Sequence, residues 1–271
     1  MAQKIRLDLH LLNKGLVQSR QQAQRLIRAG KVRDMTGKIL DKPGQEVFGE
    51  SKLLVENPKR FVSRGGEKLL AGLQAFPIKI DGRICLDGGI STGGFTDCLL
   101  QHGASRVYGI DVGYGQIAWS LRNDSRVVLR ERTNLRNLKP EDLYGPKDRL
   151  PNLAVADLSF ISLRLVLPAI KNLLSEKDND ALLLVKPQFE IGRNRVGKGG
   201  VVKDINAHIE VLSNIVDFSV AEGWIPKGIV ASPITGPAGN HEYLLWLSSF
   251  GNKGLLNIKE LVRETLASLE S

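Results

Sequence analysis

Short apolar runs alternate with stretches of helical periodicity between residues 83 and 186, and this alternation restricts the fold more than any other feature. The runs are RICLD (83–87), RVYGID (106–111), RVVLR (126–130), LAVAD (153–157) and ALLLVK (181–186). Strands separated by helices form parallel sheets with crossover connections. Two later runs, GIVAS (228–232) and EYLLWL (242–247), are joined by the loop PITGPAGNH, which favours an antiparallel pair. We therefore predict a doubly wound α/β domain with a mostly parallel sheet whose last strand is antiparallel.

The excess positive charge lies almost entirely at the amino-terminal end of the chain. The 271 residues carry a net charge of +9, and residues 1–70 hold 15 basic and 7 acidic residues, so +8 belongs to them. A basic segment of this kind is typical of a small domain that binds a polyanion. The alternative is a charged surface that only keeps the protein in solution.

This basic segment also has the pattern of a folded domain. RLDLHLL places leucines at helical spacing, and SRQQAQRLIRAG has Ser19 where a helix N-cap belongs and Gly30 where a helix ends. The apolar stripe of the second helix consists of Ala23, Leu26 and Ile27. We predict strands at Lys31–Arg33 and Lys38–Leu40, joined by the turn DMTGK, and a further strand in SKLLVE.

Residues 5–55 resemble the alpha-L RNA-binding domain of a small-subunit ribosomal protein, pseudouridine synthases and tyrosyl-tRNA synthetase. The resemblance rests on RLDLHLL, SRQQAQRLIRAGKV and KPG. A basic helix face that ends in a basic hairpin suits the phosphates of folded RNA, which proteins recognise mainly by shape. The side chains expected to contact RNA are Lys4, Arg6, Arg20, Arg25, Arg28, Lys31, Arg33 and Arg64.

The segment ENPKRFVSRGGEKL (56–69) carries Pro and Gly among polar residues and predicts a domain boundary. We expect the small α+β RNA-binding domain over residues 1–58, a linker over 59–69, and the sheet domain over 70–271.

The turn DGGISTGGFTD (87–97) follows the first strand of the predicted sheet and indicates the kind of ligand. Turns at this position hold phosphates, dinucleotides or S-adenosylmethionine. The turn has no lysine, which excludes a phosphate-loop NTPase, and from Gly88 it reads GGISTG, which lacks the second glycine of the dinucleotide motif. Asp87 favours S-adenosylmethionine, because an acid suits the cationic end of that ligand. Taken alone, the turn predicts only a nucleotide-like ligand.

Charged residues occur at other strand ends of the same sheet. Lys68 precedes the sheet domain, Asp157 ends the fourth strand, Lys186 ends the fifth, and Glu242 begins the last. Strand ends of a doubly wound sheet can converge on one cleft. Each charge alone would be an ordinary rim residue, but four of them with a glycine-rich turn favour an active site.

Seven segments resemble the TlyA (hemolysin A) family: SRGGEKL, STGGFTD, DVGYGQIAWSLRNDSRV, ERTN, ADLSFISL, VKPQFE and GNHEYL. The resemblance covers practically the whole chain and departs at DGGIS, where the family has Asp-Val-Gly-Ala-Ser. It implies a Rossmann-like class I methyltransferase sheet of the FtsJ type behind the RNA-binding domain. The implied activity is methylation of ribose 2′-hydroxyls in ribosomal RNA, at cytidines of the subunit interface, with S-adenosylmethionine as cofactor.

The resemblance also implies the site residues. The catalytic tetrad of the family falls on Lys68, Asp157, Lys186 and Glu242. Our hypothesis is that Lys186 contacts the ribose hydroxyl and accepts its proton, and Lys68 is the alternative base. The implied cofactor-binding residues are Asp87, Gly88, Gly89, Ser91, Thr92, Gly93, Gly94, Phe95, Asp111, Val112, Gly113 and Asp157. The basic loop GRNRVGKGGVVKD (192–204) either folds over RNA or is a mobile surface loop.

Composition limits the remaining possibilities. Two cysteines and four scattered histidines give neither a disulfide framework nor metal-ligand spacing, so we expect no metal. No run of about 18 apolar residues occurs and the amino-terminal segment lacks an apolar core, so we expect neither a membrane span nor a secretory signal. We expect a cytoplasmic monomer that binds ribosomal RNA and ribosomal subunits. The alternatives are a membrane-lysing protein, a non-catalytic RNA-binding protein and a dinucleotide oxidoreductase.

Overall fold

The computed structural model describes residues 4–17, 19–56 and 60–267. The chain divides into two compact units, an N-terminal unit, Met1–Arg60, and a C-terminal unit, Phe61–Ser271. The segment 61–69, which was expected to be linker, belongs to the C-terminal unit. Its Phe61 is only 3% exposed in a hydrophobic core, and a helix starts at Gly65. The apolar Phe61 explains the difference, because burying an aromatic side chain stabilises the segment against the sheet domain.

Over residues 4–17 and 19–56, the N-terminal unit contains two short helices and four three-residue strands. They are β1 (Lys4–Arg6), α1 (Leu7–Asn13), α2 (Arg20–Arg28), β2 (Val32–Asp34), β3 (Glu46–Phe48) and β4 (Leu53–Val55). β1 pairs with β3 and β2 with β4, both antiparallel. The strand expected at Lys38–Leu40 is reduced to a single bridge between Arg33 and Ile39, since β4 rather than this segment pairs with β2.

Helix α2 forms as its sequence predicts. The Ser19 hydroxyl accepts a hydrogen bond from the backbone N–H of Gln22 at 3.2 Å and caps the first turn. Gly30 follows the helix with a φ of +67°, a conformation in which a Cβ would be strained. The apolar stripe is buried in the core of the N-terminal unit and consists of Ala23, Leu26 and Ile27. This stripe leaves the basic side chains of α2 on the opposite, exposed face.

The C-terminal unit is built on a seven-stranded sheet. Its strands are β5 (Ile84–Gly88), β6 (Arg106–Ile110), β7 (Val127–Arg130), β8 (Leu153–Ala156), β9 (Asp180–Val185), β10 (Ile225–Ala231) and β11 (Tyr243–Ser248). Their order across the sheet is β10-β11-β9-β8-β5-β6-β7. The pairs among β5 to β9 are parallel, and β11 runs antiparallel to both of its neighbours. The predicted mostly parallel sheet with an antiparallel last strand is confirmed.

Helices cover both faces of this sheet, and two hydrophobic clusters lie between the layers. The helices are α3 (Gly65–Ala75), α4 (Gly94–Gln101), α5 (Trp119–Arg122), α6 (Pro140–Leu143), α7 (Leu163–Leu173), α8 (Pro187–Glu190), α9 (Ile205–Ala221) and α10 (Ile258–Ala267). Every residue of the interior strand β9 is buried, which explains its continuous apolar run. Over the described ranges, no helix combines the length and apolar character that a membrane crossing requires.

Candidate active site

Two adjoining cavities open at the carboxyl edge of the sheet, where doubly wound domains bind ligands. The lysine cavity, about 220 Å³, is lined by Lys68, Lys186 and the glycine-rich turn. The Asp111 cavity, about 390 Å³, is lined by Asp111 and the loops after β7 and β8. Both cavities share the same four lining residues, Gly89, Ser91, Asp157 and Ser159. A ligand in the Asp111 cavity therefore lies directly beside the lysine cavity.

The glycine-rich turn adopts a backbone that few other sequences allow. Gly89 has a φ of +79°, and a Cβ there would lie 2.8 Å from the carbonyl oxygen of Asp157. Gly93 has a φ of +94° and precedes α4 without a side-chain cap. Ile90, one of the two residues by which the turn departs from its family pattern, packs against Gly109, where a Cβ would lie 2.3 Å from its side chain. The missing side chain of Gly109 makes room for isoleucine.

Asp111 follows β6 and fixes the wall of its cavity. Its carboxylate accepts backbone hydrogen bonds from Ser91 at 2.7 Å and from Gly113 at 2.7 Å. Each carboxylate oxygen has a second lone pair. The side chain can therefore accept hydrogen bonds from the hydroxyl groups of a ligand while it still holds the turn in place.

The two lysines each pair with a carboxylate. Lys68, in the first turn of α3, lies 2.5 Å from the Glu242 Oε2 and 3.9 Å from Asp157 Oδ2. Lys186, between β9 and α8, lies 2.5 Å from Asp157 Oδ1. Lys68, Lys186 and Glu242 are buried, and Asp157 is partly buried. The structure thus brings together four charges that are up to 174 positions apart in sequence.

Lys186 has a further partner, which the sequence analysis did not include. Its ammonium group donates a hydrogen bond to the Ser159 hydroxyl at 2.9 Å. Other lining residues of the Asp111 cavity were also missed, among them Gln116, Thr133, Asn134, Leu158 and Phe160. The motifs ERTN and ADLSF contain four of these positions, so the motifs carried the signal even though the individual residues were not singled out.

Eight of the expected cofactor-binding residues line one or both cavities: Gly89, Ser91, Thr92, Gly94, Phe95, Asp111, Val112 and Asp157. The other four, Asp87, Gly88, Gly93 and Gly113, line neither of these two cavities. Asp87 is fully buried, and the Thr96 hydroxyl donates a hydrogen bond to it at 2.6 Å. Burial raises the pKa of the Asp87 carboxyl to about 7.

Residues 192–204 are attached to the segment that precedes β11. The Asn240 side chain donates to the Gly200 carbonyl at 2.8 Å and accepts from the Val202 N–H at 2.9 Å. The buried His208 ring contacts the Val202 carbonyl oxygen at 2.9 Å. The basic loop is therefore anchored two residues from Glu242.

Among the basic residues expected to contact RNA, Arg6 and Arg20 have structural partners within the N-terminal unit. Both pair with the fully buried carboxylate of Asp8, at 3.2 Å and 3.0 Å. Lys31 pairs with Glu56 at 2.8 Å. Lys4, Arg25 and Arg28 are exposed, Arg33 is partly exposed, and Arg64 lies just before α3 in the C-terminal unit. No cluster of three or more potential metal ligands occurs in the described parts of the chain.

Comparisons with known proteins agree with this geometry. Residues 61–249 match the model of the FtsJ-like methyltransferase family. The chain is 49% identical over 257 residues to the 16S/23S rRNA (cytidine-2′-O)-methyltransferase TlyA of Mycobacterium tuberculosis, covering 94% of each. It is 40% identical over 240 residues to Hemolysin A of Brachyspira hyodysenteriae, covering 89% of this chain and 98% of that one. A solved structure titled "Putative hemolysin from Streptococcus thermophilus" superposes with a TM-score of 0.72 at 39% identity, covering 100% of this chain and 98% of that one.

Proposed function

This chain belongs to the TlyA (hemolysin A) family of FtsJ-like methyltransferases, and we propose that it methylates ribose 2′-hydroxyls of ribosomal RNA. The methyl donor is S-adenosylmethionine, and the target nucleotide is cytidine, the one named for the M. tuberculosis relative. The observation that carries this proposal is the pair of adjoining cavities, one suited to a nucleoside and the other lined by two lysines. Ribosomal RNA as the substrate implies action in the cytoplasm.

The residues of the Asp111 cavity fit S-adenosylmethionine. The free lone pairs of Asp111 suit ribose hydroxyls, and Leu158 and Phe160 offer apolar surface to an adenine ring. The Ser91–Phe95 turn suits the methionine portion, because Ser91 lines both cavities and Thr92, Gly94 and Phe95 line the lysine cavity. The bound cofactor supplies a methyl group on a positively charged sulfur. Asp157, which lines both cavities, places negative charge between them.

The lysine cavity would receive the target ribose. A 2′-hydroxyl is a weak nucleophile, so it must be aligned with the methyl group and must lose its proton. We assign Lys186 Nζ, as the neutral amine, to contact the hydroxyl oxygen and accept its proton, while Asp157 holds the amine beside the cavity. Lys68 lines the same cavity and is the alternative acceptor, held by Glu242.

The N-terminal unit would hold folded RNA by its phosphates. Its net positive charge and the exposed basic face of α2 support this assignment. Sequence-independent phosphate contacts position an RNA without selecting the target base. The choice of the methylated nucleotide then depends on which ribose reaches the lysine cavity.

The proposal is tested by incubating the purified protein with labelled S-adenosylmethionine and separate 30S and 50S subunits that lack the modification. We expect label in ribosomal RNA, resistant to alkaline cleavage at a cytidine because the 2′-oxygen is blocked. A protein with the Asp111→Ala substitution should need more cofactor but reach the same rate when saturated, because ribose contacts form equally in the ground and transition states. Absence of label from both subunits would contradict the proposed function.

A further inference from the structure

The Lys186 amine has two fixed partners on one loop. The lysine nitrogen has three directions besides its bond to Cε, and in the neutral amine that accepts a proton two of them carry hydrogens and the third carries the lone pair. Lys186 Nζ donates a hydrogen bond to Ser159 Oγ at 2.9 Å, and Asp157 Oδ1 lies 2.5 Å away as an ion-pair partner that is not aligned as a hydrogen-bond acceptor. The remaining direction is available to the lysine cavity, which Lys186 lines. Asp157 alone would leave the amine free to rotate about its contact, so Ser159 adds the second constraint that defines an orientation.

The loop that carries Ser159 has no regular hydrogen bonding of its own. Residues 157–162 connect β8 with α7 and lie outside helices and strands. Phe160 has a φ of +64°, which is strained for an aromatic residue, and its side chain is 91% exposed. A strained loop keeps one conformation only where surrounding contacts determine it.

Glu190 supplies such contacts. Its carboxylate accepts hydrogen bonds from the Ser162 hydroxyl at 2.5 Å and from the Leu163 N–H at 2.7 Å. Glu190 is buried, and this burial raises the pKa of its carboxyl above the usual value. The bonds hold the start of α7, immediately after the loop that carries Ser159.

Glu190 and Lys186 belong to the same short segment, which consists of Lys186 and helix α8. This segment therefore contacts the 157–162 loop and the adjoining first residue of α7 at two points. Lys186 binds the front of the loop through Asp157 and Ser159, and Glu190 binds its end through Ser162 and Leu163. Two attachment points fix the relative position of the segments, whereas one would leave a pivot.

We propose that Ser159 is a positioning residue for methyl transfer, which orients the Lys186 amine toward the substrate, and that Glu190 holds the Ser159 loop in the required register. This inference rests on the proposed function, because it assigns Ser159 a part in the same reaction. Ser159 acts through Lys186, so its loss should appear in the rate of the chemical step and leave ligand affinities unchanged.

The test compares three serine variants in single-turnover methyl transfer to ribosomal subunits at saturating RNA and cofactor. Loss of a hydrogen bond to a charged group predicts a rate about tenfold to a hundredfold lower for Ser159→Ala. Ser159→Thr retains the hydroxyl and should keep its rate within about threefold of wild type. The matched control is Ser120→Ala, the same change at an exposed serine of α5. Dissociation constants for cofactor and RNA should be unchanged in all three.

The outcomes separate this inference from the proposed function. A wild-type protein that transfers no methyl group overturns both. An active wild type with a normal Ser159→Ala rate overturns only the positioning role, as does a Ser159→Thr variant that is as slow as the alanine variant. Loss of cofactor affinity in Ser159→Ala would also overturn it, because Ser159 would then be a cofactor contact.

Glu190 gives a second measurement. Glu190→Leu keeps a side chain of similar size but has no acceptor oxygen, so both loop contacts are lost. We expect a smaller decrease in the single-turnover rate, about threefold to tenfold, with unchanged dissociation constants. A rate equal to wild type would overturn the role of Glu190.

Discussion

Each unit of the molecule buries carboxylates beside cations, but the two clusters differ in what lies next to them. In the N-terminal unit, Asp8 is enclosed by Arg6, Arg20 and Gln24, and its hydrogen bonds join β1 to α2. In the C-terminal unit, the Lys68–Glu242 and Lys186–Asp157 pairs border an open cavity. A buried ion pair is therefore no sign of catalysis by itself. The adjacent cavity, which leaves room for a substrate, distinguishes the second cluster.

The largest effect is expected from the cluster beside the cavity. Lys186→Ala should reduce single-turnover methyl transfer by about 10²- to 10⁴-fold, because the amine aligns and deprotonates the nucleophile only during the reaction. Equilibrium binding of cofactor and RNA should change little, as should thermal unfolding. The matched control is Lys79→Ala, at an exposed lysine of the same unit, with wild-type turnover. Near-normal turnover of Lys186→Ala would contradict the assignment of the catalytic lysine.

The cluster around Asp8 in the N-terminal unit should affect the stability of that unit and not the rate of methyl transfer. Arg6 holds the pKa of Asp8 well below its usual range, so the carboxylate contributes stability that is lost only in strong acid. Asp8→Asn keeps the shape but removes charged hydrogen bonds, and should lower the stability of the N-terminal unit by about 2–3 kcal/mol. Hydrogen–deuterium exchange of the whole chain should speed up in peptides covering α2.

Peptides from the C-terminal unit should exchange at the wild-type rate in Asp8→Asn, and cofactor affinity should be unchanged. The control Asp41→Asn makes the same change at an exposed aspartate and should leave exchange unaltered. If α2 exchanges normally in Asp8→Asn, Asp8 has no structural role and the contrast between the two clusters is lost.

Sequence patterns predicted the strands of the large sheet, but they missed the short strand pairing and the buried carboxylate of the N-terminal unit. Long apolar runs such as the one in β9 mark strands buried on both faces, so all seven strands of the sheet were found. The pairing of β1 with β3 was missed, because three-residue strands about forty positions apart have no usable periodicity. The burial of Asp8 was missed for a similar reason, since an acid within an apolar helix pattern resembles a surface residue.

In the candidate site, too, some residues were predicted from the sequence and others were missed. Its four charged residues were singled out because they stand at strand ends beside a glycine-rich turn and then matched a family motif, and the structure brings them together. Ser159 and Glu190 were not singled out, although they lie in the same motifs. Their contacts depend on how two loops approach each other after the strands have paired, and residue spacing along the chain carries no information about that approach.

Asp87 is a third buried carboxylate and extends the comparison. Its hydrogen-bond partner is the neutral hydroxyl of Thr96, whereas Asp8 is bonded to charged arginines. Its raised pKa of about 7 means that the folded protein binds a proton there more readily than the unfolded chain. The stability from this group is complete below pH 4 and is lost as the pH rises through about 7. The free energy of unfolding of wild type should therefore decrease between pH 5 and pH 8 relative to Asp87→Asn, by on the order of 1–3 kcal/mol.

Urea unfolding at four pH values between 5 and 8 measures this difference. Asp8→Asn is the matched control. The pKa of Asp8 lies below this pH range in the folded and the unfolded protein, so the loss of unfolding free energy in Asp8→Asn should not vary with pH. A difference between wild type and Asp87→Asn that does not vary with pH would show that burial leaves the charge of Asp87 unaffected.

The smallest effect is expected from charges that have neither a buried acid nor a cavity beside them. Arg25 and Arg28 lie exposed on α2, whereas Arg20 on the same helix is bonded to Asp8. Replacing Arg25 and Arg28 by alanine should weaken RNA binding. It should also reduce the slope of log affinity against log salt by about 2, because binding releases about one counterion fewer for each phosphate contact that is lost. The double lysine variant retains both charges and should keep the wild-type slope. A fall in cofactor affinity with normal RNA binding would contradict the division of labour between the units, because the exposed face of α2 would then serve the methyl donor and not the RNA.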